Sequence, residues 1–169
     1  MLFRYENFYE RMESPLGELL LVSNGTALTG LYMGSDVEAY KKPQNTKESW
    51  TKKPELFKEA RNQLKEYFAG KRSVFNLSIH YDGTVFQNRV WDELRTIPYA
   101  STVTYGELAA RIGKPGASRA VGGANNKNPI SIIIPCHRVI GASGDLVGYG
   151  GGLDKKRWLL EHEALNRKV

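Results

Sequence analysis

The chain has 169 residues, with 24 Lys and Arg against 18 Asp and Glu, 41% hydrophobic residues and 25% charged ones. These are values of an ordinary globular chain of one or two domains, and they exclude a disordered chain, a collagen-like fibre and a disulfide-stapled miniprotein. Apolar runs such as Leu19–Val22 and Ile132–Ile134 fall far short of the ~20 residues of a membrane span, and the single cysteine, Cys136, can neither close an internal disulfide nor anchor a multi-cysteine zinc site.

The opening stretch Met1–Phe8 carries Arg4 and Glu6 and does not read as a signal peptide, so a cytoplasmic, reduced protein is expected. A strand is predicted near Tyr9–Met12, then a turn at Ser14-Pro15-Leu16-Gly17. Strands Glu18–Ser23 and Ala27–Met33 follow, joined through Asn24-Gly25-Thr26 as a hairpin whose turn is expected to be type I′. Residues 34–53 are polar and read as an irregular surface connection. Pro54 in a first turn, Gly70 past the end, and Phe57, Ala60, Leu64 and Tyr67 at helical spacing predict a helix over Pro54–Ala69. A short strand is expected at Phe75–His80, broken by Tyr81-Asp82-Gly83.

The second half changes character. Thr84 with Gln87, and Thr104 with Glu107, are capping-box patterns opening two helices, the first running to about Thr96 and the second ending at Gly113. After the turn Lys114-Pro115-Gly116-Ala117, Ser118 is expected to cap a third helix, Arg119 to about Asn126, built mainly of Ala, Gly and Val. Two short helices around a Gly-containing turn make a helix-turn-helix candidate. A strand Ile130–Ile134 and a final helix, Leu153 to about Asn166, complete the reading. The fold class is α+β: a small N-terminal α/β domain, residues 1–83, with a β-hairpin sheet plus a helix, and a mainly helical C-terminal domain, residues 84–169. Charge divides unevenly along the chain. Residues 1–85 hold 12 basic and 11 acidic side chains, residues 86–169 hold 12 and 7, and the excess points to a polyanionic partner for the second half.

Cys136 lies after Pro135, beside His137 and Arg138. Imidazole is the usual base for a thiol, and a neighbouring guanidinium favours thiolate. A carboxylate from Glu161 or Glu163 could orient the imidazole; spacing does not choose between them. The loop Gly148-Tyr149-Gly150-Gly151-Gly152 fails as a dinucleotide fingerprint, because Leu153 takes the third glycine position. The Ala/Gly-rich helix would let its backbone approach another surface closely. If that surface is a DNA groove, Arg119 could enter the stack where a base has left.

Pro135-Cys136-His137-Arg138-Val139 resembles the active-site signature of the O6-alkylguanine-DNA alkyltransferases, also called methylated-DNA–protein-cysteine methyltransferases. Arg119-Ala120-Val121-Gly122-Gly123-Ala124, Asn128-Pro129, and Gly151-Gly152-Leu153 with Trp158-Leu159-Leu160 agree in order and spacing, and the Ser14–Gly17 segment resembles the family's more variable N-terminal domain. The resemblance implies a single-turnover transfer of the alkyl group from the O6 oxygen of guanine, with O4-methylthymine left open, to Cys136. It implies His137 as base through a water, Glu163 polarising His137, Asn128 ordering the turn, and Tyr105 donating to the base. Val139, Tyr149 and Gly150 would line the pocket, with Ser131 where certain members carry proline. Arg119 would replace the flipped base on a helix whose Ser118, Ala120, Gly122 and Gly123 face double-stranded DNA in the minor groove. No metal and no organic cofactor is implied, no membrane is involved, and a monomer is expected. A non-catalytic sensor of alkylated DNA is the alternative, and Cys136 counts against it because relatives of that kind lack the acceptor.

Overall fold

The computed structural model describes residues 6–39 and 49–168. Two compact units divide the chain, Met1–His80 and Tyr81–Val169.

In the first unit, β1 (Glu6–Ser14), β2 (Gly17–Ser23), β3 (Leu28–Met33) and β4 (Ser49–Lys52) form one sheet in the order β3-β2-β1-β4. β1 and β2 pair antiparallel from Phe8↔Ser23 to Ser14↔Gly17, and β4 lies parallel to β1. The central strand β2 is covered on both faces, so Leu19, Leu20 and Leu21 are all but fully buried. The β1–β2 turn is fixed locally. Ser14 Oγ accepts from the Leu16 amide and donates to the Gly17 carbonyl, and Gly17 sits at φ +89°, where a side chain would be strained.

The β2–β3 hairpin forms, but its turn is not type I′. Within Asn24-Gly25-Thr26 only Gly25 has positive φ, and the Asn24 carboxamide oxygen accepts from the amides of Thr26 and Ala27. That side chain supplies the turn contacts a second left-handed residue would otherwise set up. Residues 34–53 are not irregular throughout. A short helix α1 (Ser35–Ala39) buries Val37 against Leu20 and Val22, and β4 brings Trp50 to 6.3 Å from Tyr9; residues 40–48 of that segment lie outside the described residues.

The expected helix over 54–69 divides into a 3₁₀ turn, Pro54–Phe57, and α2 (Lys58–Phe68), which buries Ala60, Leu64 and Tyr67. Phe75–His80 is not a strand. It touches the sheet by one bridge, Ile79 to Leu28, and is tied instead to α2, where the Gln63 side chain both donates to the Asn76 carbonyl and accepts from its amide.

The second unit holds α3 (Val85–Leu94), α4 (Tyr105–Arg111), α5 (Ser118–Asn126) and α6 (Leu153–Leu165), with β5 (Val103–Thr104) parallel to β6 (Val139–Ile140). Both capping boxes form, Thr84 with Gln87 and Thr104 with Glu107. α5 packs on α3 and α4, and Trp91 Nε1 donates to the Ala124 carbonyl at 2.9 Å. Ser118 does not cap α5: it is the first helical residue, Ala117 holds the cap position, and no side chain caps it. Residues 130–134 are a turn rather than a strand. Ile132 adopts φ +72°, a strained geometry for a β-branched residue, while Asn128 bridges the turn by accepting from the Ile130 amide and donating to the Ile134 carbonyl.

Candidate active site

That turn delivers Cys136 into a second one. Pro135 ends the reversal, and Cys136, His137 and Arg138 form a single buried 3₁₀ turn leading into β6. The pairing of Val103 with Val139 brings this turn beside Thr104, the cap of α4, and so beside Tyr105. The opposite wall is α6, whose buried positions Lys156, Leu159 and Glu163 share one face.

Glu163 is the hub. Its Oε1 accepts from His137 Nε2 at 2.7 Å and from Arg138 Nη2 at 2.9 Å. Its Oε2 accepts from Arg138 Nε at 3.0 Å and from the Ala100 amide at 3.1 Å. Burial pushes the carboxyl's pKa up, but the bonds and charges of His137 and Arg138 outweigh it and hold the group well below the usual carboxylate range. Arg138 is fully used here, with Nη1 on the Ile97 carbonyl and the guanidinium over the Tyr99 ring. The sequence expectation that Arg138 favours the Cys136 thiolate is therefore corrected, because its charge is spent on Glu163.

Burial pushes His137 below its ordinary pKa, with Glu163 opposing, so the ring is neutral at pH 7. A neutral ring that donates Nε2–H to Glu163 keeps its lone pair on Nδ1, and this atom is buried with no hydrogen-bond partner among the described residues. Burial also pushes the Cys136 thiol up to about 11, against the pull of the Asn128 amide and the Lys156 ammonium. The resting site is thus a protonated thiol beside a neutral base.

Cys136, His137, Asn128, Glu163, Val139 and Tyr105 come together in this unit. Tyr105 donates its hydroxyl to the Val147 carbonyl at 2.8 Å, on the loop that also carries Tyr149, half-buried, and Gly150, exposed. Ser131 is half-buried in the strained turn. The α5 residues lie apart: Arg119, Ala120 and Gly123 occupy its exposed face, Ser118 and Gly122 are half-buried, and no hydrogen bond joins Arg119 to the thiol cluster among the described residues. A Cβ at Gly123 would meet nothing within 4 Å, and one at Gly122 would only touch the Tyr105 ring at 3.8 Å. Glu161 is exposed, so the structure selects Glu163 between the two candidate carboxylates.

Sequence reasoning missed two groups. Asn125 donates from α5 to the Cys136 carbonyl at 3.3 Å. Lys156 is completely buried, although Lys155-Lys156-Arg157 looks like a solvated run. Its signal was positional, since it lies three residues before Leu159 and seven before Glu163.

Fold and site define an α+β protein with one buried-thiol centre on its helical unit. Two family domains match the chain: the 6-O-methylguanine DNA methyltransferase ribonuclease-like domain over residues 7–81, and the DNA binding domain of the same family over residues 85–165. A methylated-DNA–protein-cysteine methyltransferase of Mycobacterium tuberculosis is 52% identical over 155 residues, 92% of this chain and 91% of that one. The crystal structure of M. tuberculosis O6-methylguanine methyltransferase matches with a TM-score of 0.87 at 50% identity, covering 96% of both chains. The structure of M. tuberculosis OGT in complex with DNA matches with a TM-score of 0.84 at 48% identity, over 97% of this chain and 96% of that one. The chain belongs to the 6-O-methylguanine DNA methyltransferase family.

Proposed function

We propose that this protein repairs DNA by direct reversal, moving the alkyl group of O6-alkylguanine in duplex DNA onto Cys136 in one irreversible turnover. The observation that carries the reading is the one thiol of the chain set beside a neutral imidazole whose Nε2 is pinned by Glu163 and whose Nδ1 has no hydrogen-bond partner among the described residues. His137 takes the thiol proton through Nδ1 by way of a water, and the imidazolium so formed is stabilised by Glu163. Sulfur then attacks the alkyl carbon in line with the departing O6 oxygen. Tyr105 releases the Val147 carbonyl and donates to the ring nitrogen of guanine as charge builds there.

Cys136 is only 3% exposed, too deep to reach a base still paired and stacked in the duplex, so the base must be turned out. α4 and α5 act as a helix-turn-helix whose second helix enters the minor groove. Small residues on the exposed face of α5 allow close approach, and Arg119 fills the gap left by the base. A degenerate groove suits a protein that must find damage in any sequence. Val139, Tyr149, Gly150 and Ser131 form the base pocket, with the work confined to the second domain, residues 84–169, and the protein acting as a cytoplasmic monomer. The sensor alternative is disfavoured by the presence of Cys136 with its base.

Incubation with a duplex containing O6-methylguanine, followed by peptide mass analysis, tests this. One methyl on the peptide bearing Cys136, with activity ending after one equivalent, is the expected result. Turnover beyond one equivalent, or no adduct, contradicts it.

A further inference from the structure

Among the described residues two buried side-chain polar atoms lack a hydrogen-bond partner, His137 Nδ1 and Asn125 Oδ1. The proposed transfer uses the first and leaves the second unexplained. Asn125 is 1% exposed, and its Nδ2 donates to the carbonyl of Cys136. That bond fixes which way the carboxamide is turned, because a carbonyl can only accept. The same amide lies against the Tyr105 hydroxyl, where it opposes the rise in pKa that burial causes. A tether to the turn thus accounts for the nitrogen and not for the oxygen. An acceptor left bare in a buried site is costly, and a leucine of the same shape would fill the space without one. A reason to keep the oxygen therefore lies in what enters the site.

Once O6 carries an alkyl group, N1, N3 and N7 of guanine hold no hydrogen, and the exocyclic 2-amine is the only donor the base offers. N1 and N3 both adjoin the carbon that bears this amine. A base whose ring nitrogen there receives the Tyr105 hydroxyl brings its amine next to Tyr105, where the Asn125 carboxamide lies. We propose that Asn125 is a specificity-determining residue of the base pocket, its Oδ1 accepting a hydrogen bond from the 2-amine of the everted O6-alkylguanine. This deepens the proposed function and rests on it. In O4-methylthymine the matching carbon carries a carbonyl, so two acceptors would face each other, and the same oxygen selects against the pyrimidine.

Three duplexes test this, carrying O6-methylguanine, O6-methylhypoxanthine, which lacks only the 2-amine, or O4-methylthymine. The second-order rate of methyl transfer to Cys136, with protein in excess, is measured on each for the wild type and Asn125→Leu. Wild type is expected to react about tenfold or more faster with O6-methylguanine than with O6-methylhypoxanthine, the worth of one hydrogen bond to a buried group. In Asn125→Leu this ratio should fall by about fivefold or more, and the preference over O4-methylthymine should shrink with it. Each protein serves as its own reference, so a general loss from a disturbed turn cancels from the ratio. Carboxymethylation of Cys136 by iodoacetate, read by mass spectrometry, shows whether leucine has disturbed the turn, and Asn125→Ala, measured in the same way, takes its place where it has.

A wild type that treats O6-methylguanine and O6-methylhypoxanthine alike overturns the proposal. So does a leucine or alanine variant that is slower on both by the same factor, because a mere tether for the turn behaves so. The two readings fail separately. If the wild type takes no methyl from any duplex the repair function falls, whereas transfer at equal rates leaves repair standing and removes only the role of Asn125.

Discussion

His137 can serve as a base only while its lone pair sits on Nδ1, and that tautomer is chosen by the hydrogen bond at Nε2. Glu163 makes that choice. It also neutralises Arg138, so in the proposed mechanism one carboxylate serves both the chemistry and the packing of the turn. Glu163→Gln therefore has two expected effects. Methyl transfer to Cys136 slows by about 10²–10⁴-fold, the usual worth of a general base. Stability falls by about 3–5 kcal/mol, because the buried guanidinium loses its anion. Glu161→Gln, on the exposed side of the same helix, should leave both within about 0.5 kcal/mol of wild type. Single-turnover rates and urea melts on the two variants check this, and similar behaviour of the pair would contradict the assignment. The Cys-His-Arg run was legible in the sequence because adjacent residues announce themselves. The choice of Glu163 came from the family resemblance and not from spacing, and the diversion of Arg138 and the burial of Lys156 were not legible, since each depends on which face of α6 meets a turn some twenty residues away in the chain.

α5 divides into two faces. Val121, Ala124 and Asn125 point inward, while Arg119, Ala120, Gly123 and Asn126 face outward. An inner face of small and apolar residues is explained by packing on α3 and α4. Glycine on the outer face is not, because open space surrounds the site where a Cβ would stand at Gly123 and a helix interior prefers alanine. Gly123→Ala should stabilise the protein by about 0.5–1 kcal/mol. Gly123→Phe should keep the fold and the carboxymethylation of Cys136, yet slow transfer from duplex DNA by about tenfold or more, a loss of about 1.4 kcal/mol of binding. Loss of both reactions together would mean that the phenylalanine disturbs the site and not an approach to DNA. Helices that begin with a capping box were readable because the signal is local, as at Thr84 and Thr104. The turn at 130–134 was not: Ile-rich sequence favours a strand, whereas Asn128 gripping both ends and the backbone bond from the Ile134 amide to the Ile130 carbonyl close a turn with Ile132 at positive φ.

Across the whole chain, charge and burial separate in a way that sets the response to acid. The first unit's described ion pairs, such as Arg11 with Glu18 and Arg61 with Glu10, keep solvent contact and contribute little to stability. The second unit buries Glu163, Arg138 and a neutral His137 together. His137 has its pKa lowered by folding, so the unfolded chain binds its proton first, and stability is lost as pH falls below the ordinary value of 6.5. Glu163 is lowered as well, so its contribution is complete above the ordinary value of 4.5 and is lost as pH falls below it. Both slopes have the same sign, and the second unit should weaken in two stages on acidification. Urea melts of a Trp50→Phe variant, in which Trp91 and Trp158 report on the second unit, should show stability declining from about pH 6.5 and more steeply below about pH 4.5. In the same background Glu163→Gln should start less stable and lose the lower stage while keeping the upper one. A flat profile through both values would mean that the imidazole and the carboxylate are not buried as a pair in solution. The proton arrangement that the proposed methyl transfer uses would then be withdrawn along with the acid response.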